Sequence, residues 1–293
     1  MTSELEAGLF FMKDASAFAV TNHPTLMKRL LLATASTLIA FVLPGCLQSE
    51  TTIHLNKDGS GMLVEQTTLG AQMMAMLEQM SAIGGDKDKD PIAEMFSVEK
   101  AKAKAVTLGA GVTFEKVEPL DLKGNKGART TYRFADINKL KISTGDAIKN
   151  ISPMADPAPA ADMQKPVAFA YTDGTLTVTL PEPEKPAAGA ANPADAPEEN
   201  PQMEAMMKQM LGDMTLSVKL VIEPGISETN ATYTAANTIT LVDVEMAKLL
   251  EKPEALKKLN SAPKDNPAAA IEFLKGLDGV KMESKKVITV KVK

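Results

Sequence analysis

Histidine, cysteine and clustered carboxylates build most catalytic and metal sites, and this chain of 293 residues has two histidines and one cysteine. His54 is the only histidine after Cys46, and it sits inside the alternating segment TTIHL, so any Ser-His-Asp arrangement would have to recruit a strand residue. A packed or solvent-facing strand position is the simpler assignment. A zinc site of the usual Cys/His type lacks ligands. Asp86-Lys87-Asp88-Lys89-Asp90 places carboxylates at alternate positions, as a calcium loop would, but Pro91 occupies the place of the required glycine and Ser97 that of the bidentate glutamate. The stretch is therefore expected to be a solvated loop whose last carboxylate, Asp90, caps the following helix. Gly59, Gly61, Gly124 and Gly127 all lie between strand-like segments rather than at a strand-to-helix junction, so none forms a phosphate-binding loop. The residues point to no metal, no cofactor and no enzyme.

Methionine is the anomaly. The chain has 18 of them against 9 Phe, 3 Tyr and no Trp. Met73, Met74, Met76 and Met80 fall in one predicted helix, and Met203, Met206, Met207, Met210 and Met214 recur at spacings of three and four, which lines them along one helical stripe. Three uses fit such a stripe: core filling in place of the missing aromatics, an adaptable hydrophobic surface, and thioether ligation of Cu(I). Core filling is the commonest. On the second reading Met73, Met76, Met206 and Met210 form an apolar partner surface.

Before Cys46 the pattern is different. Lys28 and Arg29 precede an apolar run from Leu30 to Val42, the length of a signal-peptide h-region and too short for a comfortable membrane span. The following Leu43-Pro44-Gly45-Cys46 resembles the lipobox of bacterial lipoproteins at Leu43, Gly45 and Cys46, with Pro44 replacing the usual small residue. That resemblance implies cleavage after Gly45, a diacylglyceryl thioether on Cys46 and a further acyl chain, such as palmitate, on its new amino group. Several acyl chains make an anchor that hardly dissociates. Residues 1–26 carry Glu4, Glu6 and Asp14, atypical for an n-region, and translation is expected to begin at Met27. Leu47 rather than Asp follows the cysteine, which by analogy suits outer-membrane sorting. Residues 1–45 carry equal basic and acidic charge, so the net −5 belongs to the part from Cys46 onward and argues against a nucleic-acid partner.

The elements that would position these residues are mostly hairpins. Strands are predicted on either side of Asn56-Lys57-Asp58-Gly59-Ser60-Gly61, with Thr51 as the first strand residue, which leaves a tether from Cys46 of at most about 20 Å. Further strands are predicted over Val112 to Val117, Ala128 to Phe134, Val167 to Tyr171, Thr175 to Leu180, Thr215 to Ile222 and Thr238 to Val242. Val287 to Val292 reads as an edge-like strand guarded by Lys285, Lys286, Lys291 and Lys293. Helices are predicted over 71–83, from Pro91 to Leu108, over 202–211, 244–250, 253–259 and 266–274. Val117-Glu118-Pro119 with Asp136 echoes Ile222-Glu223-Pro224 with Asp243, as a duplicated unit or as a chance recurrence of strand-to-helix grammar.

The expected division is residues 1–26 as an extension or misassigned start, 27–45 as signal peptide, 46–180 as the first part of an α+β domain, 181–201 as a Pro/Ala-rich disordered linker, and 202–293 as its second part. The expected fold is a twisted, mostly antiparallel sheet of hairpins packed against Met-rich helices. The lipobox, followed within a few residues by an alternating strand and the hairpin of Thr51 to Leu69, resembles uncharacterised bacterial lipoproteins, including the LppM-like group. The resemblance implies an envelope α+β domain without known catalysis and supplies no functional residues. The leading expectation is an exported, lipid-anchored, non-enzymatic module binding an envelope protein or lipid. The alternative is an envelope hydrolase or metal-handling protein with an unrecognised site.

Overall fold

Alternation of apolar and polar residues puts successive side chains on opposite faces of a strand, and such segments form two sheets here. The structure is a computed structural model, and it describes residues 47–83, 90–122, 124–143, 165–181, 212, 214–252 and 277–293, all within the unit 43–293. In chain order come β1 (Leu47–Leu55), β2 (Gly61–Leu69), α1 (Ala71–Ile83), α2 (Pro91–Met95), α3 (Val98–Thr107), β3 (Val112–Leu122) and β4 (Asn125–Phe134). A 3-10 turn (Ile137–Lys139), β5 (Ala168–Thr172) and β6 (Thr175–Thr179) follow. The later elements are β7 (Thr215–Ile222), β8 (Ile226–Thr229), β9 (Thr234–Ala235), β10 (Thr238–Glu245), α4 (Met246–Leu250), β11 (Val280–Met282) and β12 (Val287–Val292).

The larger sheet runs β11-β10-β7-β1-β2-β4-β3 with β9 beside β10, and the smaller runs β5-β6-β12-β8. Every pairing is antiparallel except that of β1 with β7. The α+β class and the antiparallel hairpins are as the sequence predicts. One face of the larger sheet supplies the core: Ile53 lies opposite Leu63 and Leu220, and Leu55 opposite Ile222. These residues share one buried cluster with Tyr132, Phe134 and Ile239 of the same sheet, with Leu176, Val178, Ile288 and Val290 of the smaller sheet, and with Ile137, Leu140 and Ile142 between them. Each fully buried aliphatic side chain contributes about 1.5–3 kcal/mol.

Among the described helices, α3 contributes to this cluster, through Ala105 and the following Leu108, and its Lys104 reaches Glu65 on β2 at 2.8 Å. It contains no methionine. None of the side chains described on α1 is buried, Met73, Met74 and Met76 included, so the core-filling reading fails for these three. Branched aliphatics with Tyr132, Phe134 and Phe169 fill the interior instead, because the inward strand positions hold them already.

Several boundaries also move. β1 begins at Leu47, not Thr51, because Leu47 pairs with Leu69 and is 1% exposed. The single helix expected from Pro91 to Leu108 is two: Asp90 caps α2 as predicted, but Ser97 is extended (φ −68°, ψ 150°) and caps α3 by accepting from the Lys100 N–H. β10 runs on to Glu245, so the predicted helix from Val244 starts at Met246. β12 is interior rather than edge, since β6 and β8 pair on its two sides; Val287, Thr289 and Lys291 are exposed while Ile288 and Val290 point into the core. The internal echo marks unlike places: Glu118 lies within β3 and Asp136 caps the 3-10 turn, whereas Glu223 follows β7 and Asp243 lies within β10. The short strands β8, β9 and β11 were not predicted, being two to four residues long with little internal pattern.

Candidate functional site

The strand registers bring several of the singled-out segments to one end of the larger sheet. Leu47 opens β1, Leu69 closes β2 opposite it, and Thr215 opens β7 beside Gln48. Glu245 closes β10 opposite Thr215, and the β3–β4 turn joins Leu122 to Asn125 at the same end, where Lys126 pairs with Leu69. Leu47, Leu69, Leu216, Leu249, Leu250 and Val280 are buried there. α1 starts immediately past Gly70, the Met74 N–H donating to the Gly70 carbonyl at 3.0 Å. It holds Met73 and Met76 half-buried, with Glu78 as its one charged residue. Leu122, at the hairpin tip, is 51% exposed. The ion pairs nearby, Lys248–Glu245 at 2.8 Å and Lys252–Asp278 at 3.0 Å, are exposed and contribute little to stability.

The opposite face of the larger sheet is polar. Glu50 accepts from Lys219 at 3.3 Å and from the Thr52 hydroxyl at 3.2 Å, Gln66 accepts from Arg129 at 2.9 Å, and Arg133 grips Glu115 through both Nε and Nη2. His54 lies on this face with Nδ1 2.7 Å from Glu223. A carboxylate in that position orients an imidazole, but the cross-strand neighbours of His54 are Met62 and Val221, which offer neither hydroxyl nor thiol. Among the described residues no three His, Cys, Asp or Glu side chains gather as metal ligands, and no helix is long and apolar enough to cross a membrane.

At the far end of the sheet the predicted Asp-Gly turn forms between β1 and β2. Asp58 accepts from the Ser60 hydroxyl at 2.6 Å and from its N–H at 3.0 Å, which holds the Asp58 carboxyl below the usual range. Gly59 has φ +84°, and a side chain there would also press on the Tyr171 ring at 3.1 Å. The Tyr171 hydroxyl donates to the Lys57 carbonyl at 2.8 Å, and the Tyr171 N–H donates to the Asn138 side chain. The smaller sheet is thereby tied to the first hairpin.

Glu283 was not singled out in the sequence. It is 4% exposed, accepts from the Thr232 N–H at 2.6 Å and hydroxyl at 2.7 Å, and accepts from the N–H groups of Ser284 and Lys285 at 2.8 and 3.0 Å. Burial alone would raise its carboxyl, but these donors outweigh it and hold the group below the usual range. No local signal could have revealed this site, because Thr232 lies 51 residues away along the chain.

Of the predicted site residues, Met73 and Met76 are placed on α1 at the Leu47 end. Cys46, Met206 and Met210 lie outside the described residues, as do the signal segment, residues 182–201 of the linker, and the predicted helices 202–211, 253–259 and 266–274. No protein-family model and no curated protein matches the chain. Among solved structures, the NMR structure of the Mycobacterium tuberculosis LppM folded domain is similar over 69% of this chain and 84% of its own, with 6% identity and a TM-score of 0.30. At this TM-score the similarity assigns neither a function nor a residue role.

Proposed function

We propose that the chain is an exported lipoprotein of the bacterial envelope, held by acyl chains on Cys46 at the periplasmic side of the outer membrane. Its folded part is a non-enzymatic binding or structural module, with the α1 methionines as apolar contact surface for a lipid or protein partner. The observation that carries this reading is that β1 is already paired at Leu47, the residue after the lipobox cysteine, so that the sheet reaches to within one residue of the anchor. The His54–Glu223 pair is what favours the alternative hydrolase. It stands second because Met62 and Val221 flank the imidazole. Expression in a lipid-modifying bacterium tests the anchor. The native chain is expected in the membrane fraction with a diacylglyceryl mass on the Cys46 peptide, and Cys46→Ser is expected to lose both. A native chain that stays soluble with an unmodified Cys46 would defeat the proposal.

A further inference from the structure

We infer that the Leu47 end of the larger sheet rests on the bilayer, with α1 and the Leu122 hairpin tip entering its interface; the inference depends on the lipoprotein reading of Cys46. The occupant of this apolar surface is the membrane that holds the anchor.

The first reason is covalent. Consecutive Cα atoms are 3.8 Å apart, so an acyl group on residue 46 has almost no slack relative to Leu47. Leu47 is itself fixed, buried at 1% exposure and paired with Leu69. The second reason is topological. β1 is the middle strand of the larger sheet, with β7, β10 and β11 on one side and β2, β4 and β3 on the other. An anchor on the residue before it therefore pins the end of the sheet near its centre rather than a free edge, and the β3–β4 tip and the start of α1 are carried to the same level.

The third reason is what that end exposes. Leu122 is 51% exposed at the tip, where Gly124 turns the chain with φ +88°. α1 leaves the sheet after Leu69 with Met73, Met74, Met76 and Leu77 half-buried, Ala75 exposed among them, and no basic residue. Unbranched thioether side chains adapt to irregular apolar surroundings, and acyl chains are such a surrounding. The contact is apolar rather than electrostatic, so added salt should leave it intact. Val106, at 80% exposure, is the most exposed of the competing apolar residues, but it lies near the end of α3, which leads into the opposite end of the sheet at Val112.

The test uses the full chain produced in a lipid-modifying bacterium and reconstituted into phosphatidylethanolamine/phosphatidylglycerol vesicles containing spin-labelled lipid. Single cysteines at four exposed positions, Ala75→Cys, Leu122→Cys, Lys57→Cys and Val106→Cys, carry a fluorescent maleimide. Quenching by the lipid should be severalfold stronger at 75 and 122 than at 57 and 106, and unchanged by salt. Uniform quenching, or stronger quenching at 57 or 106, with Cys46 acylated by mass, overturns the inference and leaves the anchor standing. Shielding of 75 and 122 from an aqueous quencher without quenching by lipid means that a protein or a second copy covers this end, and also overturns it. An unmodified Cys46, which would itself take up maleimide, overturns the anchor and the inference together.

Discussion

At the scale of single residues, Glu283 shows how a carboxylate survives burial without a countercharge. Four donors from Thr232, Ser284 and Lys285 surround it, and each charge-assisted hydrogen bond offsets part of the desolvation cost. Because its folded pKa lies below the ordinary glutamate value, its contribution to stability is full above that value and lost as pH falls through the depressed one. Glu283→Gln should therefore destabilise the domain by about 1–3 kcal/mol at neutral pH, since an amide cannot serve all of these donors. In denaturant titrations the difference from the native chain should shrink as the pH is lowered through the acid range. A difference that stays constant down to low pH would mean that the carboxylate charge is unimportant there. Gly61 makes the complementary point about sterics: a Cβ at that position would meet the His54 carbonyl oxygen at 1.9 Å and the Phe134 ring at 2.4 Å. Its place in the sequence suggested only a turn.

At the scale of elements, period-two alternation predicted β7 and β12 at their observed boundaries, because one face of each is apolar and the ends are marked by turn residues. It could not tell an edge strand from an interior one. β12 has the same outward Thr289 and Lys291 in either position, and only the pairing of Val290 with Leu176 on one side and Thr229 on the other makes it interior. Its register gives a direct prediction. Ile288→Ala, at a fully buried site, should cost about 2–5 kcal/mol. Val287→Ala, one residue away and 42% exposed, should change stability by no more than about 0.5 kcal/mol. Urea melts of the two variants read the difference, and equal losses would show that the strand does not hold this register. Met73, Met74 and Met76 failed as core predictors for a related reason. Helical spacing specifies a face but not what that face meets, and among the described helices it is α3, with its small Ala105, that reaches the main buried cluster.

At the scale of the whole molecule, strands from both sides of the proline-rich segment are interleaved: β1 pairs with β7, and β6 with β12. A protease site engineered into 182–201 and cut to completion should leave two pieces that co-elute in native buffer and separate only in denaturant. Pieces that part without denaturant would contradict the shared sheets. The sequence by itself determined the α+β class, the hairpin turns, the Asp90 cap and the singular position of Cys46, because composition, turn chemistry and hydrophobic period act over a few neighbouring residues. Only the tertiary structure decided that β1 is already paired at Leu47, that α1 keeps Met73, Met74 and Met76 out of the core, that β12 is interior and that Glu283 is buried among donors. Those outcomes depend on pairings between segments tens to more than a hundred residues apart, where local physics is silent and the packing of the sheets chooses.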